Sequence, residues 1–143
     1  MKGDLIPDQH HIARLCRPKC ISPDEKIQAS AFMVRVGEES LSANWLEFLK
    51  SSSRENEIAE LQNIYSNKFN KVEVRAQIAV LNVGEVREKV LAESPDRRNL
   101  KVLHNPEIDD PSHSGIYNLR HDDEIIIAEL ILESVQETCT ARK

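Results

Sequence analysis

The stretch that most constrains this chain is residues 72–81. There Val72, Val74, Ala76, Ile78 and Val80 alternate with Glu73, Arg75, Gln77, Ala79 and Leu81. A period of two belongs to a strand, because successive side chains point to opposite faces of a sheet. The early positions are polar on one face, whereas the last are apolar on both. A strand of that kind belongs in a sheet covered on both sides. Any fold for this chain must provide that cover.

The residues just after the strand supply part of it. Asn82 suits a helix N-cap, with Glu85 as its partner three residues on. Val86, Val90 and Leu91 then make the inward stripe of a short helix that ends before Pro95. Residues 100–104 read as the next strand. Strand, helix and strand over about 72–104 have the size of a βαβ unit with a right-handed crossover. The expected class is therefore α+β: a single domain over residues 1–143, with a small mixed sheet, this βαβ unit and packed helices including a C-terminal one. The first ~10 residues are expected to be irregular, as free chain ends commonly are.

The flanking elements are set by periodicity. Residues 29–36 suggest a strand with Phe32, Val34 and Val36 on one face. Leu41, Trp45, Phe48 and Leu49 recur at helical spacing, although alternation of Leu41, Ala43 and Trp45 competes with that reading. Ser52 with Glu55 forms a capping-box pattern for a second helix reaching about Lys68, with Ile58, Leu61, Ile64 and Tyr65 inward. A short strand is expected at Ile116 and Tyr117. Asp122, Asp123 and Glu124 suit the first turn of a last helix, followed by Ile125, Ile126, Ile127, Leu130, Ile131, Leu132 and Val135. That apolar face is wide enough to cover a sheet or to meet a partner. Cys139 lies near the frayed C-terminus and carries no expected role.

Composition narrows the class of function. The 143 residues suffice for a core without disulfide or metal staples, and no repeat or heptad run is present. The formal net charge of −5 argues against a generic nucleic-acid binder, since phosphate neutralisation needs clustered Lys and Arg. Two basic spots remain, Arg14, Arg17 and Lys19, and Arg97, Arg98 and Lys101; each is either solvated surface or a contact for an anionic ligand. The opening residues lack the apolar core of a secretory signal, and the apolar run 125–132 is interrupted by Glu129 and too short to cross a bilayer. Three cysteines, an odd number, fit a reducing compartment. The expected setting is the cytoplasm, away from membranes.

Candidate chemistry concentrates in two places. The first is residues 103–115, where His104 and His113 surround Glu107, Asp109 and Asp110 in a loop stiffened by Pro106 and Pro111. Histidine and carboxylate together can hold a divalent metal or orient a water for general base catalysis, and a carboxylate on one imidazole nitrogen fixes the tautomer of the other. The same residues are also ordinary turn chemistry. The second is His10, His11, Arg14, Cys16, Arg17, Lys19 and Cys20. Cys16 and Cys20 have zinc-ligand spacing but no second pair. Cys16 also reads as a nucleophile with His11 as its base, or as a small buried hydrophobe. In a βαβ unit, ligands gather beyond the carboxyl ends of the strands, which makes Asn82 and Gly84 a candidate anion site at a helix start. Trp45 is either core with its N–H bonded or part of an interface.

No phosphate-loop, nucleophile-elbow, zincin or EF-hand pattern is present. Two readings remain. One is an interaction or accessory module, with a protein partner or a homo-oligomer expected. The other is a small hydrolase or nuclease-like enzyme in which His113 with His104 or His11 supplies acid and base, and Asp110 orients them or holds a metal. Arg14, Arg17, Asn82, Gly84 and Trp45 are the candidate binding residues. No cofactor is expected on the first reading, and a divalent metal is possible on the second.

Overall fold

The computed structural model describes residues 2–123 and 125–143. In chain order the elements are β1 (His11–Cys16), β2 (Leu41–Trp45), α1 (Arg54–Lys68), β3 (Gln77–Asn82), α2 (Val83–Glu93), β4 (Lys101–His104), β5 (His113–Tyr117), α3 (Ile125–Glu133) and β6 (Val135–Thr140). The strands form one six-stranded sheet in the order β4-β5-β2-β1-β3-β6. Every neighbouring pair is antiparallel. The α+β class holds, but the pairing is antiparallel throughout rather than mixed. β3, α2 and β4 do occur in the expected order, and the alternation of direction leaves β3 and β4 pointing the same way. Three strands lie between them, so they share no ladder.

Two helical layers explain the doubly apolar strand. Ile78 and Val80 pack with Ile58, Leu61 and Tyr65 of α1. Ala79 and Leu81 pack with Val86 and Val90 of α2 and with Ile127, Ala128 and Ile131 of α3. All four β3 residues are fully buried. Strand order begins only at Gln77, because both neighbours stop there: Gln77 is the last residue paired with β1 and the last paired with β6. Residues 72–76 lie beyond both ladders, with a single bond from the Ala141 N–H to the Ala76 carbonyl, and Val74 is exposed.

Elsewhere the structure corrects the periodicity. Residues 29–36 are not a strand: Ala29–Phe32 make a 3-10 turn whose Ala29, Ala31 and Phe32 are buried in the core. Residues 41–49 are not a helix: Leu41–Trp45 alternate as β2, and only Glu47–Leu49 turn helically. The cap of α1 is Ser53, whose hydroxyl accepts from the Asn56 N–H, one residue later than the Ser52 pattern implies. Asn82 caps α2 as expected, while the Glu85 carboxylate accepts from Gln136 instead of returning to the cap. Leu91 faces outward. β5 starts three residues earlier than expected, at His113.

The last helix is shorter than its apolar run. α3 ends at Glu133, and Val135 and Cys139 belong to β6, an edge strand with Gln136, Glu137 and Thr138 exposed. Polar outward positions of this kind discourage stray pairing at an edge. The opposite edge is lined by the N-terminal residues: Gly3 N–H donates to the His104 carbonyl, His104 N–H to the Asp4 carbonyl, and Ile6 N–H to the Val102 carbonyl. No helix among the described residues is long and apolar enough to cross a membrane.

Arg98 ties two turns together. It is buried, and its guanidinium donates to Asp96 and, at 2.7 and 3.0 Å, to both oxygens of Asp123. One of the two basic spots is thus a structural clamp. Burial works to raise the Asp123 carboxyl, but the Arg98 bonds and the Arg120 N–H outweigh it and hold its pKa below the usual carboxylate range. Its stabilisation is complete above the unfolded value, about 3.9, and fades as pH falls through the lower folded value. Asp123→Asn is expected to remove about 2–3 kcal/mol at neutral pH, because Asp96 stays on the guanidinium. In urea titrations the gap from wild type should close as the solution is made acidic below that range.

Candidate functional site

The β1–β2 ladder is two residue pairs long, Ile12 with Trp45 and Ala13 with Asn44, whereas β1 pairs with β3 over its whole length. Past Ala13 and Asn44 the two strands separate. The opening is a cleft of about 760 Å³, within the size range of small-molecule sites. Its walls come from β1 and the residues after it, from β2, from residues 30–38, from the end of α1 and from the β4–β5 hairpin.

Arg14 spans the gap. Its Nε donates to the Ala31 carbonyl at 2.6 Å, and its Nη1 donates at 2.7 Å to the Ser42 carbonyl. A side chain thus occupies a place where a continued ladder would put backbone. Nη2 has no partner among the described residues, yet no buried side-chain nitrogen or oxygen lacks one, so Nη2 opens onto the cleft. Burial pulls the Arg14 pKa down, and Cys16 and Glu38 oppose it without reversing the shift. The group stays charged, because arginine does not deprotonate in proteins.

The cleft carries more positive charge than negative. Arg14, Arg17, Lys19, Arg35 and Lys68 line it against Glu38, Glu107 and Asp110. Lys68 pairs with both Glu107 and Asp110. Among the described residues no carboxylate lies at ion-pair distance from Arg14, Arg17, Lys19 or Arg35. Arg17 instead lies over the Phe69 ring, 5.3 Å from its centroid.

The α1 side of the cleft rests on a buried polar network. Asn44 donates through Nδ2 to both oxygens of Asp110, at 2.8 and 3.0 Å, and to Ser112 Oγ, and its Oδ1 accepts from the Tyr65 hydroxyl. Lys68 Nζ closes the set on Asp110 Oδ2. Burial and the Asp110 charge push the Tyr65 hydroxyl far up, so it remains a donor. Burial works to lower Lys68, but its bonds to Glu107 and Asp110 raise it above the usual lysine value. Asp110 is 1% exposed and both its oxygens accept twice, which makes it an anchor for the hairpin.

His113, on the same hairpin, is placed differently. Its Nδ1–H donates to the Asn105 carbonyl at 2.8 Å, and its Nε2 faces Ser42 Oγ at 3.2 Å on the cleft wall.

Of the sequence candidates, Arg14, Arg17, Asp110 and His113 share this cleft. The others are elsewhere. His104 donates from Nε2 to the Pro111 carbonyl and packs edge-on against Trp45. Trp45, on a strand rather than a helix, donates to His10 Nδ1 and stacks with Phe48. His11 holds Glu47 through Nδ1 at 2.7 Å. His104 and His11 thus do not line the cleft with His113, and each is held by another partner. Asn82 and Gly84 do not form an open anion site: Val83 N–H donates to His10 O, Gly84 N–H to Asp8 O and Glu85 N–H to Asn82 Oδ1. Asp8 lies so close that a Cβ on Gly84 would stand 3.0 Å from it. With β3 and β4 apart in the sheet, no crevice between parallel strand ends forms there either.

Cys16 and Cys20 are free thiols, and no three metal-binding side chains gather among the described residues. Burial pushes the Cys16 thiol up to about 12, outweighing the pull of Arg14. It packs as a small hydrophobe of the core.

Sequence reasoning missed Ser42, Asn44, Tyr65 and Lys68 as parts of a site. A helical reading of 41–49 turns Ser42 and Asn44 to different faces; in a strand, positions two apart share one. The chain matches no family model, no curated protein and no solved structure.

Asn44→Ala should destabilise the fold by about 3 kcal/mol in urea titrations, because it strips donors from a buried carboxylate and the acceptor from Tyr65. At pH 8, iodoacetamide should leave Cys16 unmodified in the folded protein and alkylate it in urea, read by peptide mass spectrometry.

Proposed function

We propose that this protein binds a phosphate-bearing small molecule of nucleotide size in the cleft between β1 and β2. The observation that carries the reading is Arg14: a half-buried guanidinium with no carboxylate at ion-pair distance among the described residues and one nitrogen turned into the cleft. A charge taken from water is unfavourable without a counter-charge, and a bound anion supplies it. The planar fork of arginine matches phosphate oxygens. Arg17, Lys19 and Arg35 add positive charge around the mouth, and the volume accommodates more than one phosphate group. A ligand of this class and three free thiols both fit a cytoplasmic setting.

The alternative, an interaction module, rests on the wide apolar face of the last helix. That width turns largely inward, with Ile127, Ala128, Leu130 and Ile131 buried and only Ile125 and Ile126 on the surface. The cleft therefore has the stronger support.

Calorimetric titration with inorganic phosphate, pyrophosphate, a nucleoside diphosphate and a dinucleotide tests the proposal. At least one should bind, more weakly as salt is raised. Arg14→Gln should weaken that binding at least tenfold, in line with the loss of one charge-assisted hydrogen-bonding group. Absence of binding across the series in the wild-type protein would remove the reading.

A further inference from the structure

His113 has a candidate nucleophile beside it that the sequence did not reveal. We propose that Ser42 is a nucleophile and His113 its general base, acting on a phosphate ester held in the cleft. The substrate class rests on the anion-binding reading above, whereas the reactivity of Ser42 does not.

The tautomer is dictated by the hydrogen bonds. The Asn105 carbonyl can only accept, so the neutral His113 ring carries its proton on Nδ1 and its lone pair on Nε2. That lone pair faces Ser42 Oγ, so the serine hydroxyl donates to it. The ring is held in this pose: His113 is 7% exposed, and the Asn105 N–H donates back to the His113 carbonyl at 2.9 Å. Ser42 itself is exposed on the cleft wall. Nucleophile, base and a group that orients the base thus stand in sequence, with a peptide carbonyl in the orienting place. Arg14 donates to the carbonyl of this same serine, which puts the anion-holding charge and the hydroxyl on one wall.

The step balances without a further reagent. Ser42 Oγ attacks phosphorus and an Oγ–P bond forms, while His113 Nε2 takes the hydroxyl proton. The P–O bond to the alcohol portion breaks, and the leaving oxygen takes that proton from His113. Water then attacks phosphorus as His113 Nε2 takes its proton; the Oγ–P bond breaks, Ser42 Oγ receives that proton from His113, and phosphate is released. The competing structural role is a serine–histidine bond that only pins the hairpin to β2, and such a bond confers no reactivity.

Diisopropyl fluorophosphate on the intact protein separates the two. The Oγ–P bond forms, the P–F bond breaks, fluoride departs, and the proton passes through His113 to solvent. The expected result is one adduct, at Ser42 by peptide mass spectrometry, in folded protein and not in urea. It should be absent in Ser42→Ala and formed at least a hundredfold more slowly in folded His113→Asn, the range of a lost general base. Inorganic phosphate should slow the labelling by occupying the ground in front of Ser42. No adduct at Ser42 in folded wild-type protein, or an equal rate in folded His113→Asn, overturns the catalytic pair and leaves phosphate binding as measured. Labelling that phosphate does not slow overturns the phosphate-ester substrate. The folded-against-urea comparison decides the matter even if His113→Asn does not fold.

Discussion

The rest of this molecule depends on a short ladder. β1 and β2 share only two residue pairs before they part, and the cleft lies in the opening. A sheet that splits leaves backbone carbonyls without ladder partners, and a buried carbonyl needs a donor. Arg14 provides that bond to Ser42 of β2, and a second one from the same side chain ties in the Ala31 carbonyl of the neighbouring turn. The same residue that makes the gap tolerable places a fixed positive charge at its floor. Structure and binding chemistry are coupled at one position, because the guanidinium has more donors than the two carbonyls use.

The hairpin between β4 and β5 complements that arrangement. Asp110 anchors it through Asn44, Ser112 and Lys68, and His104 anchors it again through the Pro111 carbonyl. Rigid support is what lets a side chain such as His113 keep one tautomer and one direction. Gly115 belongs to the same support: a Cβ there would stand 2.6 Å from Ser40 Oγ and 2.9 Å from the Tyr117 ring. Only glycine lets the strand carrying His113 lie so close to the start of β2.

Local signals were legible where one element decides its own conformation. The buried end of β3, the Asn82 cap, the extent of α1 and the stop of α2 before Pro95 are all decided by residues within a turn or two. Signals failed where a neighbour decides. Residues 72–76 alternate well but have no strand beside them, and Leu41, Trp45, Phe48 and Leu49 match helical spacing by coincidence with a strand leading into a turn. Val135 and Cys139 extend the helical pattern of α3, yet pairing with β3 claims them for an edge strand. The site was half visible. Arg14, Asp110 and His113 stood out by residue type, but Ser42 and Asn44 had no distinguishing pattern, and the convergence depends on long-range pairing of β2 with β5.

The cleft's cationic lining sits in a chain whose net charge is −5. These opposing signs act over different distances. Beyond the screening length, about 8 Å at physiological salt, the net acidity of the chain is largely damped. Inside the cleft the low-dielectric walls focus the positive field of Arg14 and its neighbours. The sign that an anion inside the cleft would feel is therefore set by the side chains that line it and not by the charge of the whole chain.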